Sequence, residues 1–318
     1  MKKQLVIIGG GPAGLTAGYC AIKEGLQPLV LEASDKLGGI SRTEDYQGFR
    51  FDIGGHRFYT KEEIVNDLWH EVMGSDFLRV DRLSRIYYDG KFFQYPLEPL
   101  DALTKLGVWE SFLVGCSYLQ TKIFPSKEEE KNLEQWVTNR FGTRLYETFF
   151  KTYTEKVWGI PCHKISAEWA AQRINNLSLK KAVLNAFSKQ TNTKSLIREF
   201  EYPRLGPGMM WEKFGAAIER KGGEVRMEAP VTEVRHENAK VESLLIDGDL
   251  EIQPRELISS MPLRSLLRQM NPPPPPEILA AANRLRYRDF LVVVLLVDHP
   301  DIFPDNWIYI HCKNVKVG

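Results

Sequence analysis

The stretch Gln4-Leu-Val-Ile-Ile-Gly-Gly-Gly-Pro-Ala-Gly14 decides the fold. Leu5 to Ile8 is a short apolar run suited to a buried parallel strand, and it ends in the spacing Gly9-x-Gly11-x-x-Gly14. Pro12 to Gly25 then reads as a helix. In such a strand–turn–helix unit the first glycine permits the tight turn and the second lets a pyrophosphate approach the backbone. The third lets helix and strand pack closely. The helix start, with Pro12 and Ala13 in its first turn, offers unpaired N–H groups and the positive end of its dipole to that pyrophosphate. Gly9, Gly11, Pro12, Ala13 and Gly14 are therefore expected to hold a dinucleotide.

The residues around this turn complete the unit. Leu15, Tyr19 and Ile22 fall at helical spacing and give an apolar face for the sheet, and Gly25 ends the helix. Pro28 to Glu32 is the second parallel strand. Glu32 stands at its C-terminal end, where a carboxylate can accept both ribose hydroxyls of an adenosine. The same charge disfavours a 2′-phosphate, so NADP is not expected. The plain alternative is a surface glutamate at a strand end.

The totals bound the class. A chain of 318 residues with 43% hydrophobic residues can bury a real core in two domains or one large one. A formal charge of +1 without a basic block argues against a general nucleic-acid binder. Cys20, Cys116, Cys162 and Cys312 are scattered, with no metal-type spacing. They are expected to be buried and reduced in a cytoplasmic protein. Met1-Lys2-Lys3 before an apolar run mimics a signal peptide, but the run is too short and breaks into three glycines. No segment has the uninterrupted apolar length that spans a membrane.

The residues after Glu32 separate one dinucleotide from another. Leu31-Glu-Ala-Ser-Asp-Lys-Leu-Gly-Gly-Ile-Ser-Arg-Thr43 carries a second glycine pair, Gly38-Gly39. Phe49-Arg-Phe-Asp-Ile-Gly-Gly-His-Arg-Phe-Tyr-Thr60 carries a third, Gly54-Gly55. Repeated pairs suggest backbone laid against a larger, flat cofactor. On these residues the chain resembles the FAD-dependent superfamily of amine oxidases, protoporphyrinogen oxidase, phytoene desaturase and UDP-galactopyranose mutase. The resemblance implies FAD, with Glu32, Ala33, Gly38, Gly39 and Arg42 near the ribose and pyrophosphate. It places Gly54, Gly55 and His56 at the isoalloxazine ring. Amine oxidases usually carry arginine directly after the pair matched by Gly38-Gly39, whereas this chain has Ile40 and delays its arginine to Arg42.

Further on, Lys61 to Met73 reads as a helix with Ile64, Val65, Leu68 and Val72 on one face. Ser84 to Pro96 reads as a hairpin turning at Asp89-Gly90, between two aromatic runs. Leu97 to Asn192 looks largely helical. Its most apolar part, Gly107 to Phe124, is expected to be a core or interface helix, with shallow membrane association as the alternative. Ser126 to Lys131 is expected to be a solvated helix start.

The run Tyr153-Thr-x-Lys-x-Trp-Gly159 resembles a motif of the UDP-galactopyranose mutases, as does His56-x-Phe58-x-Thr60. A helix from Ser166, its N-cap, carries Arg173 where the mutases hold a substrate diphosphate. Guanidinium suits that task because it stays charged and donates two parallel hydrogen bonds. His56, Tyr153, Trp158 and Arg173 are thus the candidate catalytic residues. For Arg173 the alternative is a surface arginine, for Trp158 a core anchor, and for Lys156 a surface ion-pair partner. The mutase pattern departs after this helix: Glu201 to Glu212 is closer to the Gly-rich entry of the oxidases, and the tyrosine-rich segment is unmatched.

Met209 to Lys221 reads as a helix stopped by Gly222-Gly223, followed by strands from Glu224 and Val231. The resemblance implies that this unit returns the chain to the cofactor domain and that the backbone near Val231 pairs with the adenine. Glu256 to Pro262 resembles the strand and turn closing that region. Asn271 to Pro276 reads as a polyproline spacer, and Tyr287 to Val297 as a buried β-branched strand.

The expected fold class is α/β. A Rossmann-like FAD-binding domain of glutathione-reductase type would comprise residues 1–80 and 203–265. An inserted mixed helical and β substrate domain would comprise residues 81–202 and 266–318. Superfamily members continue beyond the point matched by Gly318, so a C-terminally truncated chain is expected. Three functions compete: an FAD-dependent oxidoreductase, a mutase-like isomerase acting on a nucleotide sugar with reduced FAD as nucleophile, and a flavin-binding module without turnover. The broader oxidoreductase leads. The partner expected is a small-molecule substrate, with no nucleic acid and no metal.

Overall fold

The strand Lys2–Ile8 feeds two cores at once. Leu5 and Ile7 pack into a cluster with Leu15, Tyr19, Val30, Phe214 and Ile218, while Val6 and Ile8 pack with Leu29, Leu31, Val231, Val234 and Leu244. Alternating side chains reach opposite faces of a sheet, so a strand apolar at every position must be covered on both sides. That is the reason for the unbroken Leu5 to Ile8 run. In this computed structural model, residues 2–126, 129–174, 199–289, 291–300 and 302–318 are described.

Among them, seven strands lie in the order Met270–Asn271, Val231–Glu237, Lys240–Ile246, Leu250–Ser259, Lys2–Ile8, Pro28–Leu31 and Glu224–Arg226. Lys2–Ile8 is an interior strand parallel to both neighbours, and Pro28–Leu31 is parallel to Glu224–Arg226. The other side is an antiparallel meander. The helices Pro12–Lys23 and Gly208–Arg220 bury Leu15, Met210, Trp211, Phe214 and Ile218 against the sheet. Hydrophobic burial of this kind stabilises at roughly 25 cal/mol per Å² of apolar surface.

The chain divides into two compact units, residues 1–80 with 199–297 and residues 81–198 with 298–318. Residues 199–202 and 266–297 group with the first unit, not with the second as expected. The reason is local: Met270–Asn271 extends the main sheet beside Val234 and Arg235, and the helix Pro276–Arg284 packs on the helix Leu263–Gln269.

In the second unit, Ser84–Tyr88 and Lys91–Gln94 form the expected hairpin, with Asp89 at φ 49° and Gly90 at φ 72°. Positive φ at both turn residues suits Asp-Gly and matches the strand twist. Trp307–Ile310 adds in parallel to Ser84–Tyr88. The core beneath contains Phe93, Trp136, Val137, Tyr146, Phe149 and Ala170. A five-residue π-helical stretch, Glu147–Lys151, leads into the helix Thr152–Trp158.

Several local expectations are corrected. Tyr287 to Val297 forms no strand among its described residues, and Leu291 is 88% exposed. β-branched residues favour a strand only where a neighbouring strand supplies hydrogen bonds, and none lies beside it among the described residues. The helix Val108–Ile123 buries only Val114, and Val108 is 91% exposed, so it is not a core helix. Of the residues assigned to one face of Glu63–Met73, Ile64 points to solvent while Leu68 and Val72 pack inward. The described residues of Ser126 to Lys131 are not helical; the helix Leu133–Phe141 starts later, where the Asn132 side chain accepts from Gln135 N–H. Cys20 and Cys116 are exposed rather than buried, and all four cysteines are free. The proposed helical reading of residues 175–192 lies outside the described residues.

Candidate functional site

The glycine turn of the first unit is shaped by close backbone packing. Gly9 has φ 105° and its N–H donates to Leu31 O at 2.8 Å. A Cβ on Gly14 would sit 1.8 Å from Gly9 O, so the helix can lie on the strand only with hydrogen at that position. The helix Pro12–Lys23 starts after Gly11 with no side chain capping it. Its first N–H groups remain available, which suits an anion.

The second glycine pair closes over the first. Gly38 N–H donates to Gly10 O at 2.8 Å, and a Cβ built on Gly39 would lie 3.4 Å from Gly11 Cα. Glu32 joins both: Oε2 accepts Gly10 N–H at 2.7 Å, and Oε1 accepts Ser34 N–H at 2.9 Å and Ser34 Oγ–H at 2.7 Å. Ala33 lies between these anchors. The returning chain runs alongside, with Glu228 N–H donating to Ser34 O, Ala229 N–H to Glu32 O, and Val231 buried two residues on. Arg42 instead turns to Glu44, with Nε 2.5 Å from Oε1. Lys36 and Arg42 together hold the Glu44 carboxyl below its usual range, Lys36 having the larger effect.

Gly54, at φ 92°, and Gly55 carry the chain from the strand Phe49–Asp52 to His56. His56 Nδ1 is buried without a hydrogen-bond partner and lies 4.0 Å from Asp52 Oδ2. Asp52 accepts from Tyr202 Oη at 2.7 and 2.8 Å. Burial raises the Asp52 pKa, against the opposing effects of the Tyr202 hydrogen bond and the His56 charge. A second buried polar atom without a partner is Trp211 Nε1, on a ring that packs against Gly38. An uncapped helix start, a glycine cradle and two unpartnered buried polar atoms are features that a flavin dinucleotide would use. The residues present fit such a group.

The second unit holds the other candidates. Tyr153 meets Tyr309 edge-on at 5.4 Å and stacks on His311 at 4.9 Å with a 10° tilt. Tyr309 packs on Tyr95 at 4.4 Å. Burial, then the neighbouring phenols of Tyr309 and Tyr95, push the Tyr153 pKa up to about 12. Lys156 donates to Ile310 O and Val317 O, both at 3.0 Å, so it staples backbone rather than serving only as a surface charge. Trp158 is 43% exposed and edge-on to Trp169, which corrects its reading as a core anchor. Arg173 lies on the helix Ala167–Ile174, where Ser166 Oγ accepts from Glu168 and Trp169 N–H as an N-cap does; the Arg173 side chain lies outside the description.

Asp52, Tyr202, Trp211 and His311 were not expected from sequence. Tyr202 pairs with Asp52 across 150 residues of chain, so no local spacing signals the contact. Among the described residues no cluster of His, Cys, Asp and Glu could hold a metal, and no helix is long and apolar enough to cross a membrane.

Comparison with known proteins places these features. The chain is 28% identical over 180 residues to L-amino acid oxidase Lm29 of Lachesis muta, covering 46% of this chain and 34% of that protein. It is 24% identical over 261 residues to 1-hydroxycarotenoid 3,4-desaturase of Flavobacterium sp. (strain P99-3), covering 75% and 52%. The crystal structure of reduced UDP-galactopyranose mutase superposes with a TM-score of 0.76 at 22% identity, over 90% of this chain and 62% of that one. At that identity the likeness is one of fold. The chain spans about a third of the length of the curated L-amino-acid oxidases it matches. The model of the flavin containing amine oxidoreductase family matches residues 12–308, and the chain belongs to that family.

Proposed function

We propose that the chain is part of an FAD-dependent oxidoreductase acting on a small molecule. In this reading residues 1–80 with 199–297 hold FAD, and residues 81–198 with 298–318 present the substrate. The observation that carries it is the Glu32 carboxylate beside the uncapped helix start at Gly11. The helix N–H groups would take the pyrophosphate, and Glu32, with the Val231 backbone near, the adenosine. Gly38, Gly39 and Trp211 would line the middle of the cofactor, and Gly54, Gly55 and His56 the flavin end. A flavin held there supplies two-electron redox chemistry, or a nucleophile when reduced. The chain's own residues would orient it, exclude water and hold the substrate. The free cysteines accord with a cytoplasmic setting.

The test is direct. The purified protein should be yellow and bleach with dithionite, and a colourless protein that gains no absorbance from added FAD would sink the cofactor reading. Oxygen uptake or dye reduction across amines, porphyrinogens and polyenes would then sort the substrate class.

A second reading is a mutase-like isomerase acting on a nucleotide sugar. It is favoured by one observation, the cluster of Tyr153, Tyr309 and Tyr95, which gathers in space phenols that lie far apart in the sequence. Tyr153, Trp158 and Arg173 would then contact the sugar nucleotide. Incubating reduced protein with UDP-galactofuranose should yield UDP-galactopyranose. No conversion, with Arg173→Ala leaving UDP-sugar affinity unchanged, removes this reading.

A further inference from the structure

We propose that Asp52 and Tyr202 form a positioning pair that holds His56 as its Nδ1–H tautomer, leaving Nε2 as the ring's bare acceptor at the Gly54–Gly55 loop. The inference rests on the reading of His56 as a residue of the flavin end, and gives that residue a defined protonation geometry.

The three side chains are framed by backbone within the first unit. Asp52 ends a hairpin strand opposite Thr43, and Thr43 Oγ1 accepts from Gly208 N–H at 2.9 Å, which pins that end of the hairpin. Glu201, next to Tyr202, exchanges two backbone hydrogen bonds with Phe58, at 3.0 and 3.1 Å. Phe58 is two residues beyond His56. The strand Glu199–Pro203, which carries Tyr202, is thereby registered against the His56 loop, and the Tyr202 hydroxyl reaches both carboxylate oxygens of Asp52.

A phenol donates one proton, so one Tyr202 bond leaves most of the carboxylate's lone pairs free. Oδ2 faces His56 Nδ1 at 4.0 Å, and Nδ1 has no hydrogen-bond partner. A bare lone pair on Nδ1 would face the carboxylate oxygen in a partly buried setting, where charges repel strongly. A proton there is attracted instead. The separation is beyond a hydrogen bond, and closing it by about 1 Å would make one. Contacts of this kind are often long until a ligand is bound. Burial, then Asp52, raises the Tyr202 pKa, which keeps its hydroxyl a donor. The arrangement is the carboxylate–imidazole logic by which the second ring nitrogen is set for its task.

Long-range ¹H–¹⁵N correlation of histidine-labelled full chain, without flavin and at alkaline pH, reads the tautomer. The chain has six histidines, and His56→Gln identifies the resonance. Wild type should show Nδ1 protonated and Nε2 bare. Asp52→Asn can turn its amide nitrogen to the ring, and should lower the ratio of Nδ1–H to Nε2–H about tenfold. A wild-type ring mainly in the Nε2–H form, or an unchanged ratio in folded Asp52→Asn, overturns the proposal. Should Asp52→Asn not fold, Tyr202→Phe carries the test, and an unchanged ratio there overturns the pair. Flavin titration of His56→Gln separates the two readings. Unchanged affinity and flavin spectrum would remove His56 from the flavin end, and the tautomer result would stand or fall by itself.

Discussion

Glu32 accepts the backbone N–H of Gly10 on Oε2 while its Oε1 takes both donors of Ser34. The carboxylate proposed to bind a ribose thus also shapes the turn proposed to bind the pyrophosphate. Hydrogen bonds to a charged acceptor contribute about 1.5–3 kcal/mol each. Glu32→Ala removes three such bonds, but all are only partly buried and water can re-pair the donors, so the stability of the flavin-free protein should fall by about 1–3 kcal/mol, read from urea midpoints. It should also weaken FAD binding by at least about tenfold in fluorescence titration. Glu32→Gln keeps one acceptor and should fall between. Unchanged affinity in a folded Glu32→Ala would remove the ribose role.

Gly14 and Gly25 offer a controlled comparison of two glycines in one helix-turn segment. A methyl on Gly14 meets the Gly9 carbonyl oxygen, which is backbone and cannot rotate away. Gly14→Ala should cost about 3 kcal/mol or more and abolish flavin retention, because helix and strand must separate. Gly25 has φ 76° with open space around it. Gly25→Ala should cost only the left-handed strain, about 1–2 kcal/mol, and leave FAD affinity unchanged. Denaturation curves with flavin titration check both.

The same contrast explains what was legible in the sequence. The Gly9 to Gly14 turn and the Asp89-Gly90 hairpin turn were readable because each depends on residues adjacent in the chain and on backbone shapes that few residue types allow. Tyr202 on Asp52 and His311 on Tyr153 were not, because they join residues about 150 apart that no spacing rule connects. Tyr287 to Val297 misled for another reason. Composition reports affinity for a pleated, half-buried surface, whereas a strand needs a hydrogen-bonding neighbour. The helix Val108–Ile123 was found by its length and apolar content, but those do not say which faces other elements cover.

Arg85 and Asp305 test the second unit. Arg85 Nε donates to Asp305 Oδ1 at 2.7 Å and its Nη2 to Oδ2, and the Asp305 side chain is fully buried. Removing one partner of such a pair leaves an uncompensated buried charge, at a cost of about 3–5 kcal/mol. Arg85→Ala should lower stability by that order in thermal or urea unfolding. The double variant Arg85→Met with Asp305→Leu should recover most of the loss, because two apolar side chains leave no charge unpaired. Equal losses in both would mean that packing, not charge, governs the site.

His311 should make the protein acid-sensitive over a defined window. It is 3% exposed, and burial, then the Lys156 charge, lowers its pKa from the ordinary 6.5 to about 4, against a backbone hydrogen bond at Thr148. A backbone group that raises a histidine's pKa must accept from it, so Thr148 contributes its carbonyl. Between those two pKa values the unfolded chain binds a proton that the folded chain refuses. Stability from this group is therefore full above about pH 6.5 and declines as pH falls towards about 4. The integrated loss is on the order of 3 kcal/mol. His311→Phe keeps an aromatic ring against Tyr153 but cannot titrate, so its urea midpoint should fall less steeply over that interval than wild type. Carboxylates elsewhere contribute equally to both proteins, and the difference between the two slopes isolates His311. Parallel slopes would show that the folded imidazole takes up its proton over the same range as the unfolded one, and would overturn the lowered pKa assigned to the ring stacked on Tyr153.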